Sequence, residues 1–475
     1  MLFSSIVFIL YFLPIVLVLY YLFSFSRLLQ NILLFVSSIV FYSWGETKYA
    51  ILMCASILLN TFMGYLVDKF RQKEKTGKWL VAITVACNLA ILYVFKYLPF
   101  TIRNINSFIG VDITVPSFVL PLGISFYTFQ AISYVVDVYR GDAEVEKNPF
   151  YVGLYIAFFP QLIAGPIVRY NTIAEQIRDR KSSIEKFSVG CCRFLVGFEK
   201  KILLANNFAL VADKVFELTN SQTVPASLAW LGAIAYTLQI YFDFSAYSDM
   251  AIGLASMFGF RLEENFNYPY ISKSVGEFWR RWHISLSTFF KEYVYFPLGG
   301  SRTENQDKMV RNTFIVWVLT GIWHGAEWTF LLWGLCNFVF IMGERMFRFE
   351  QSKIPNIIKH IYALFVINIG WVLFRAENLS LAFRYLKNMF CFSENGITSD
   401  LSLLYIKEYL PFWIAGIIFS TPIARRINKL NVDKKMPVIG NVLTLIYPVV
   451  ILGLFLICMT YLVIGSYNPF IYFNF

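Results

Sequence analysis

Apolar residues fall in long runs separated by short polar breaks from one end of the chain to the other. Runs near 1–23, 28–44, 47–67, 79–98 and 117–137 approach the roughly 20 residues that a helix needs to cross a ~30 Å hydrocarbon core. Others lie near 189–213, 226–258, 309–342, 357–375, 401–420 and 439–464. The short alternating segments of a β-barrel are not visible, so the pattern predicts an all-α polytopic membrane protein with about 10–12 spans. The run YVGLYIAFFPQLIAGPIVRY, from Tyr151 to Tyr170, is interrupted by Pro160, Gly165 and Pro166. Proline removes a backbone donor and kinks or ends a helix. A broken or re-entrant helix lining a cavity is expected there, because irregular backbone at membrane depth is tolerated only inside protein or against water.

Composition agrees with the pattern. Hydrophobic residues make up 57% of the chain and charged residues 15%, with a mean hydropathy of +0.58, which excludes an ordinary soluble domain. The net charge of +11 does not mark nucleic-acid binding, because the basic residues sit in short loops rather than on one soluble face. In one loop Lys69, Arg71, Lys73, Lys75 and Lys78 stand against Asp68 and Glu74; in another Arg425, Arg426, Lys429, Lys434 and Lys435 stand against Asp433. Basic loops of this kind face the cytoplasm, and counting spans from them puts both termini outside. The N-terminal run lacks the basic region and cleavage site of a signal peptide, so it is expected to remain as the first span. The seven cysteines show no CxxC pair or Cys/His ligand spacing, which predicts neither a disulfide framework nor a metal. With no fixed-period repeat and no second soluble region, residues 1–475 read as a single integral membrane domain.

Candidate chemistry concentrates between Glu277 and Trp328: EFWRRWHISLSTFFKEYVYFPLGGSR, a short polar break, then MVRNTFIVWVLTGIWHGAEW. Two of the three histidines, His283 and His324, are here. One histidine in an apolar helix is readily a hydrogen-bonded packing residue, but two in one such stretch point to a functional site, since ionisable groups at membrane depth are costly. Imidazole, with an unperturbed pKa of about 6.5, is the usual acid or base near neutral pH. His283 follows Trp279, Arg280, Arg281 and Trp282; His324 sits between Trp323 and Gly325, with bulk on one side and bare backbone on the other. Glu277 and Arg281 are spaced to pair on a helix, leaving Arg280 for another partner. Upstream, YFDFSAYSDM carries Asp243 and Asp249, six residues apart and so off any shared narrow helix face. Asp243 and Arg281 are read as structural supports, each a charge that needs a partner in a low-dielectric setting. His360, beside Lys359 at a helix start, is read as an interfacial residue without a role.

Four blocks carry a resemblance: FFPQLIAGPIVRY (158–170), YFDFSAYSDMAIGLASMFGFRLEENFNYPY (241–270), EFWRRWHISLSTFFKEYVYFPLGGSR (277–302) and GIWHGAEWTFLLWG (321–334). They are similar to the membrane-bound O-acyltransferases, in the bacterial branch of alginate O-acetyltransferases and the D-alanyl transfer protein of teichoic acids, with the alginate type closer. Ala246 stands where many relatives have glycine, a small departure. The resemblance implies a bacterial cytoplasmic-membrane enzyme with a central funnel, His324 as catalytic histidine and His283 as the second motif histidine. Trp323, Arg280, Arg281 and Asp243 would support the funnel. It further implies an acyl thioester co-substrate, acetyl-CoA or an acyl carrier protein, with no tightly bound cofactor. An extracytoplasmic SGNH-hydrolase-like partner and a polysaccharide acceptor are implied as well. Tyr472, in the terminal FIYFNF, is implied as an acyl relay; an aromatic interface anchor is the plainer reading of such a tail. The oxyanion donor is open between His283 and an arginine. D-alanyl transfer to teichoic acid is the alternative activity. A lipid-linked saccharide transporter or flippase is the alternative class, though the internal repeats common in transporters are not seen.

Overall fold

The computed structural model describes the chain except residues 46, 301–305, 392–395, 424, 427–436, 466 and 472–475, and except the side chains of 437–445. Tyr472 and most of the second basic loop, Lys429, Asp433, Lys434 and Lys435 included, therefore lie outside the described residues. All described regular structure is helical. In chain order the α-helices are α1 Leu13–Leu22, α2 Arg27–Ser43, α3 Thr47–Phe70, α4 Glu74–Leu92, α5 Leu98–Ile109, α6 Ile124–Arg140, α7 Pro149–Ala157, α8 Phe159–Leu162, α9 Tyr170–Arg178, α10 Ile184–Glu199 and α11 Asn206–Ser221. There follow α12 Ala226–Met257, α13 Val275–Arg281, α14 Ile284–Phe290, α15 Gln306–His324, α16 Trp328–Met346, α17 Asn356–Arg375, α18 Leu379–Phe390, α19 Asp400–Glu408, α20 Leu410–Phe419 and α21 Pro437–Val463.

Among the described residues four helices are long and apolar enough to cross a bilayer alone: Thr47–Phe70, Glu74–Ile109, Asn356–Arg375 and Ile446–Val463. The pair α19 and α20, bent by 69°, makes a fifth if it is one span. Of the other apolar runs, 226–258 forms one continuous helix of 32 residues, α12, less apolar than these four because polar residues such as Asp243 and Asp249 interrupt it, and the rest form shorter or broken helices. The run 309–342 is the clearest departure from a single span. It folds into two helices, α15 and α16, with the break directly after His324.

The chain divides into two compact units. The first holds Met1–Phe194 and Ser248–Glu263. In it α3 and α4 are joined by reciprocal amide bonds between Asn60 and Asn88 (3.1 and 2.8 Å), which satisfy two polar groups that burial would otherwise penalise. The expected break at Pro160 is present. Helix α7 ends at Phe158, whose ψ of 108° leaves the helical region, and α8 restarts with the proline in its first turn, where a missing N–H costs nothing. The freed N–H of Phe159 is taken by Ser38 Oγ at 3.0 Å. Gly123, at φ +72°, lies so near that a Cβ would stand 2.6 Å from the Leu162 carbonyl oxygen. Arg180 ties this unit together, donating to Asn31 Oδ1 (2.7 Å), Tyr20 OH (3.0 Å) and the Phe258 carbonyl (3.1 Å) over the face of Phe260. Asp249 pairs with Arg193 at 2.9 Å.

The second unit holds Leu195–Tyr247 and Glu264–Phe475. Its α15 and α16 run antiparallel as a hairpin, because Gly321 faces Phe330 and Gly334 faces Trp317. A Cβ at either glycine would stand 2.6 or 2.5 Å from the opposing carbonyl oxygen. Small residues let the two backbones close to that distance, the usual device of helix pairs in membranes. Glu344 of α16 caps α13, accepting from Val275 N (2.6 Å) and Gly276 N (2.9 Å). Ser274 caps the same end through Glu277 N at 2.8 Å, so α13 is pinned to the hairpin despite having only seven residues.

Candidate active site

The site is built from two interruptions of helix. His283 separates α13 from α14 and holds a left-handed conformation, φ +45°, which costs a non-glycine residue about 1–2 kcal/mol and has to be imposed by its surroundings. The surroundings here are Asn265. Its side-chain oxygen accepts from Ser285 N (3.1 Å) and Ser285 Oγ (2.9 Å) and meets His283 Nδ1 at 3.1 Å. A backbone N–H can only donate, so the atom facing it is the amide oxygen. Facing that oxygen, His283 Nδ1 is placed to donate, the arrangement in which Nε2 is the basic nitrogen of a neutral ring.

His324 is the last residue of α15, at the tip of the hairpin. Gly325 follows because nothing larger fits: a Cβ there would stand 2.1 Å from the Phe330 ring. His324 is 6% exposed, and its ring meets three others edge-on, Trp323 at 4.9 Å, Trp333 at 5.1 Å and Phe374 at 5.0 Å between centroids. Trp323 also meets the His283 ring at 6.1 Å, and Phe244 closes the far side of His283 at 4.6 Å. The two histidines, forty-one positions apart in the sequence, thus flank one indole.

Two cavities approach this cage within the second unit. One, of about 710 Å³, has Trp279 and Trp317 in its wall and a rim of four cations, Arg280, Lys291, Arg345 and Arg348, against the carboxylates Glu344 and Glu350. Trp279 and Trp317 pack on Trp333 at 5.3 and 6.0 Å, and Trp333 packs on His324. The other, of about 720 Å³, is lined by Phe330 and Phe374 and by four carboxylates, Asp213, Glu217, Glu327 and Glu377, against Lys214 and Arg375. His324 thus touches one ring, Phe374, in the wall of the acidic-rimmed cavity, and is separated by Trp333 from the rings that line the basic-rimmed one.

The remaining expected residues are placed differently from one another. Arg281 pairs with Glu277 at 2.9 Å along α13, both side chains about a quarter exposed, and also bonds the Asn267 carbonyl. Its charge is not deeply buried, contrary to the expectation, because α13 leaves this face open. Arg280 faces Glu350 at 2.6 Å with 61% of its side chain exposed, at the rim of the basic cavity rather than beside the histidines. Asp243 is the buried charge: it pairs with Lys201 at 2.7 Å, the two side chains 2% and 4% exposed. His360 bonds the Ser272 carbonyl through Nδ1 at 3.0 Å. Lys201 and Asn265 were not singled out in the sequence. A lysine within the apolar run 189–213 was a visible signal for the first; Asn265, in a polar connection, offered none.

The comparisons with known proteins agree with this geometry. Residues 145–376 match the membrane-bound O-acyltransferase family, a span that includes both histidines. The chain is 40% identical to a "probable alginate O-acetylase" of Pseudomonas putida over the whole of both chains. It is 34% identical to a peptidoglycan O-acetyltransferase of Helicobacter pylori over 82% of this chain and 80% of the relative. A teichoic acid D-alanyltransferase of Bacillus subtilis is more distant, 27% identical over 61% of this chain and 73% of the relative. With paired histidines in a buried aromatic cage, and relatives at these identities over most or all of its length, the chain belongs to the membrane-bound O-acyltransferase family.

Proposed function

We propose that the protein transfers an acetyl group from a thioester donor toward O-acetylation of an extracytoplasmic polysaccharide, with His324 as general base and acid. The observation that carries this reading is the position of His324: at a helix end, enclosed by rings, with cavities of opposite rim charge behind those rings. In the reaction His324 takes the proton of the attacking hydroxyl. The hydroxyl oxygen bonds to the thioester carbonyl carbon, and the tetrahedral intermediate expels the thiolate, which receives the proton from His324. The products are an ester and a free thiol. A positioned base of this kind is worth roughly 10²–10⁴-fold. Neutral His283, a proton acceptor through Nε2, suits orienting the hydroxyl.

The basic rim of Arg280, Lys291, Arg345 and Arg348 suits the phosphates that coenzyme A and the prosthetic arm of an acyl carrier protein have in common. Acetyl is favoured over D-alanyl because the acetyl-transferring relatives are the more similar. Placement in the bacterial cytoplasmic membrane with both termini outside rests on the basic loops. An SGNH-hydrolase-like partner receiving the group rests on the resemblance. Tyr472, the only nucleophile of the usual kinds in FIYFNF, is proposed to carry the acetyl group between the thioester and that partner.

The test is thiol release. Purified protein with an acetyl thioester and a hydroxyl acceptor is expected to liberate free thiol and form ester in equal amounts, which a saccharide carrier has no reason to do. Tyr472→Phe loses one hydroxyl and little else; it is expected to abolish polymer acetylation, and normal acetylation in that variant removes the relay.

A further inference from the structure

The buried pair Lys201–Asp243 has a second set of partners. Lys201 Nζ also donates to the carbonyl oxygen of Pro469, and Asp243 Oδ2 accepts from the backbone N–H of Ile471 at 2.9 Å. The cation thus takes a main-chain acceptor and the anion a main-chain donor two residues further along the same segment. The neighbouring residues are fixed to the same unit. Tyr467 OH bonds Asp213 at 2.8 Å, Asn206 bonds Asn468 at 3.2 Å, and the Phe470 ring packs on Tyr247 at 5.1 Å. An ion pair needed only for stability would not have to meet the main chain of a terminal segment with both of its charges.

We infer that Lys201 and Asp243 form a latch that sets the register of the segment 467–471 in the wall of the acidic-rimmed cavity. Pro469, Phe470 and Ile471 line that cavity together with Phe374, the ring that packs on His324. Because the bonds go to backbone atoms, the latch fixes where the segment lies along its own length and is indifferent to its side chains. Lys201 and Asp243 act as positioning residues: they touch neither donor nor acceptor, and they hold the wall against which transfer at His324 takes place. The inference rests on the proposed acyl transfer for its consequence, but not for the docking itself.

Hydrogen exchange and transfer separate the two. In the purified full-length protein, Lys201→Met is expected to raise exchange in the 467–471 backbone while leaving α15 and α16 protected, and Lys201→Arg to restore protection. Ile471→Pro removes the N–H that Asp243 holds, along with the isoleucine side chain and the freedom of φ, but changes neither member of the ion pair, so it tests the latch even if Lys201→Met does not fold. It is expected to lower acetyl transfer by about 10²-fold, the scale of an ångström-level misplacement, with Ile471→Val recovering most of the activity. Unchanged exchange in Lys201→Met, or full transfer by Ile471→Pro, overturns the latch. Absence of transfer in the unaltered protein would instead contradict the proposed function, and the exchange measurement would still decide whether the segment is latched.

Discussion

Charges decide most at the scale of single residues, and burial sorts them. Asp243 and Lys201 are almost fully enclosed. Removing one partner leaves the other charge buried alone, which typically costs about 3–5 kcal/mol. Arg281 and Glu277 are about a quarter exposed and lie one helical turn apart, so that pair is worth at most about 1 kcal/mol. Asp243→Asn is therefore expected to lower the yield and thermal midpoint of detergent-purified protein severely, and Arg281→Ala only slightly. Equal losses in the two variants would contradict this ranking. The sequence exposed Asp243 as a charge in apolar surroundings but not its partner. Pairing of Asp243 with Lys201 depends on helix-to-helix approach, and a single sequence carries no signal for that. The same holds for Asn265, whose oxygen faces His283 Nδ1 from a polar connection that reads as a linker.

Elements were legible where punctuation was strong. Pro160 ended a helix as a proline must, and Glu277 and Arg281 paired as their spacing required. The apolar run 309–342 was not legible as a hairpin, because hydropathy records length and not folding back. The signal that was missed lies in Gly321, Gly325 and Gly334, each placed where a side chain would strike the opposing helix or its first turn. A Cβ at Gly321 meets a backbone oxygen that cannot swing aside, so Gly321→Val is expected to splay α15 from α16 at a cost of roughly 1–3 kcal/mol and to displace His324. Gly343 of α16 has nothing within 4 Å of its Cβ position. Gly343→Ala is expected to be neutral, or stabilising by up to about 1 kcal/mol through helix propensity. Thermal unfolding of the two variants side by side reads the difference, and comparable stability would remove the glycine contact as the basis of the hairpin.

At the scale of the molecule, the class of the protein followed from hydropathy alone, whereas its site did not. The helical membrane character is a property of composition summed over hundreds of residues, which a sequence displays directly. The cage around His324 draws on α15, α16 and α17, and the latch draws on α12, the helical turn at Lys200–Ala205 and the segment near Ile471. Those meetings exist only in the folded chain. The central claim is that His324, enclosed by rings that lie between two oppositely rimmed cavities, is the acid and base of acyl transfer. Its most direct test is His324→Ala, assayed for ester formation from an acetyl thioester with membrane insertion and amount measured in parallel. The account predicts normal accumulation in the membrane and transfer reduced by at least about 10²-fold; transfer at the unaltered rate by a correctly inserted His324→Ala protein would contradict it.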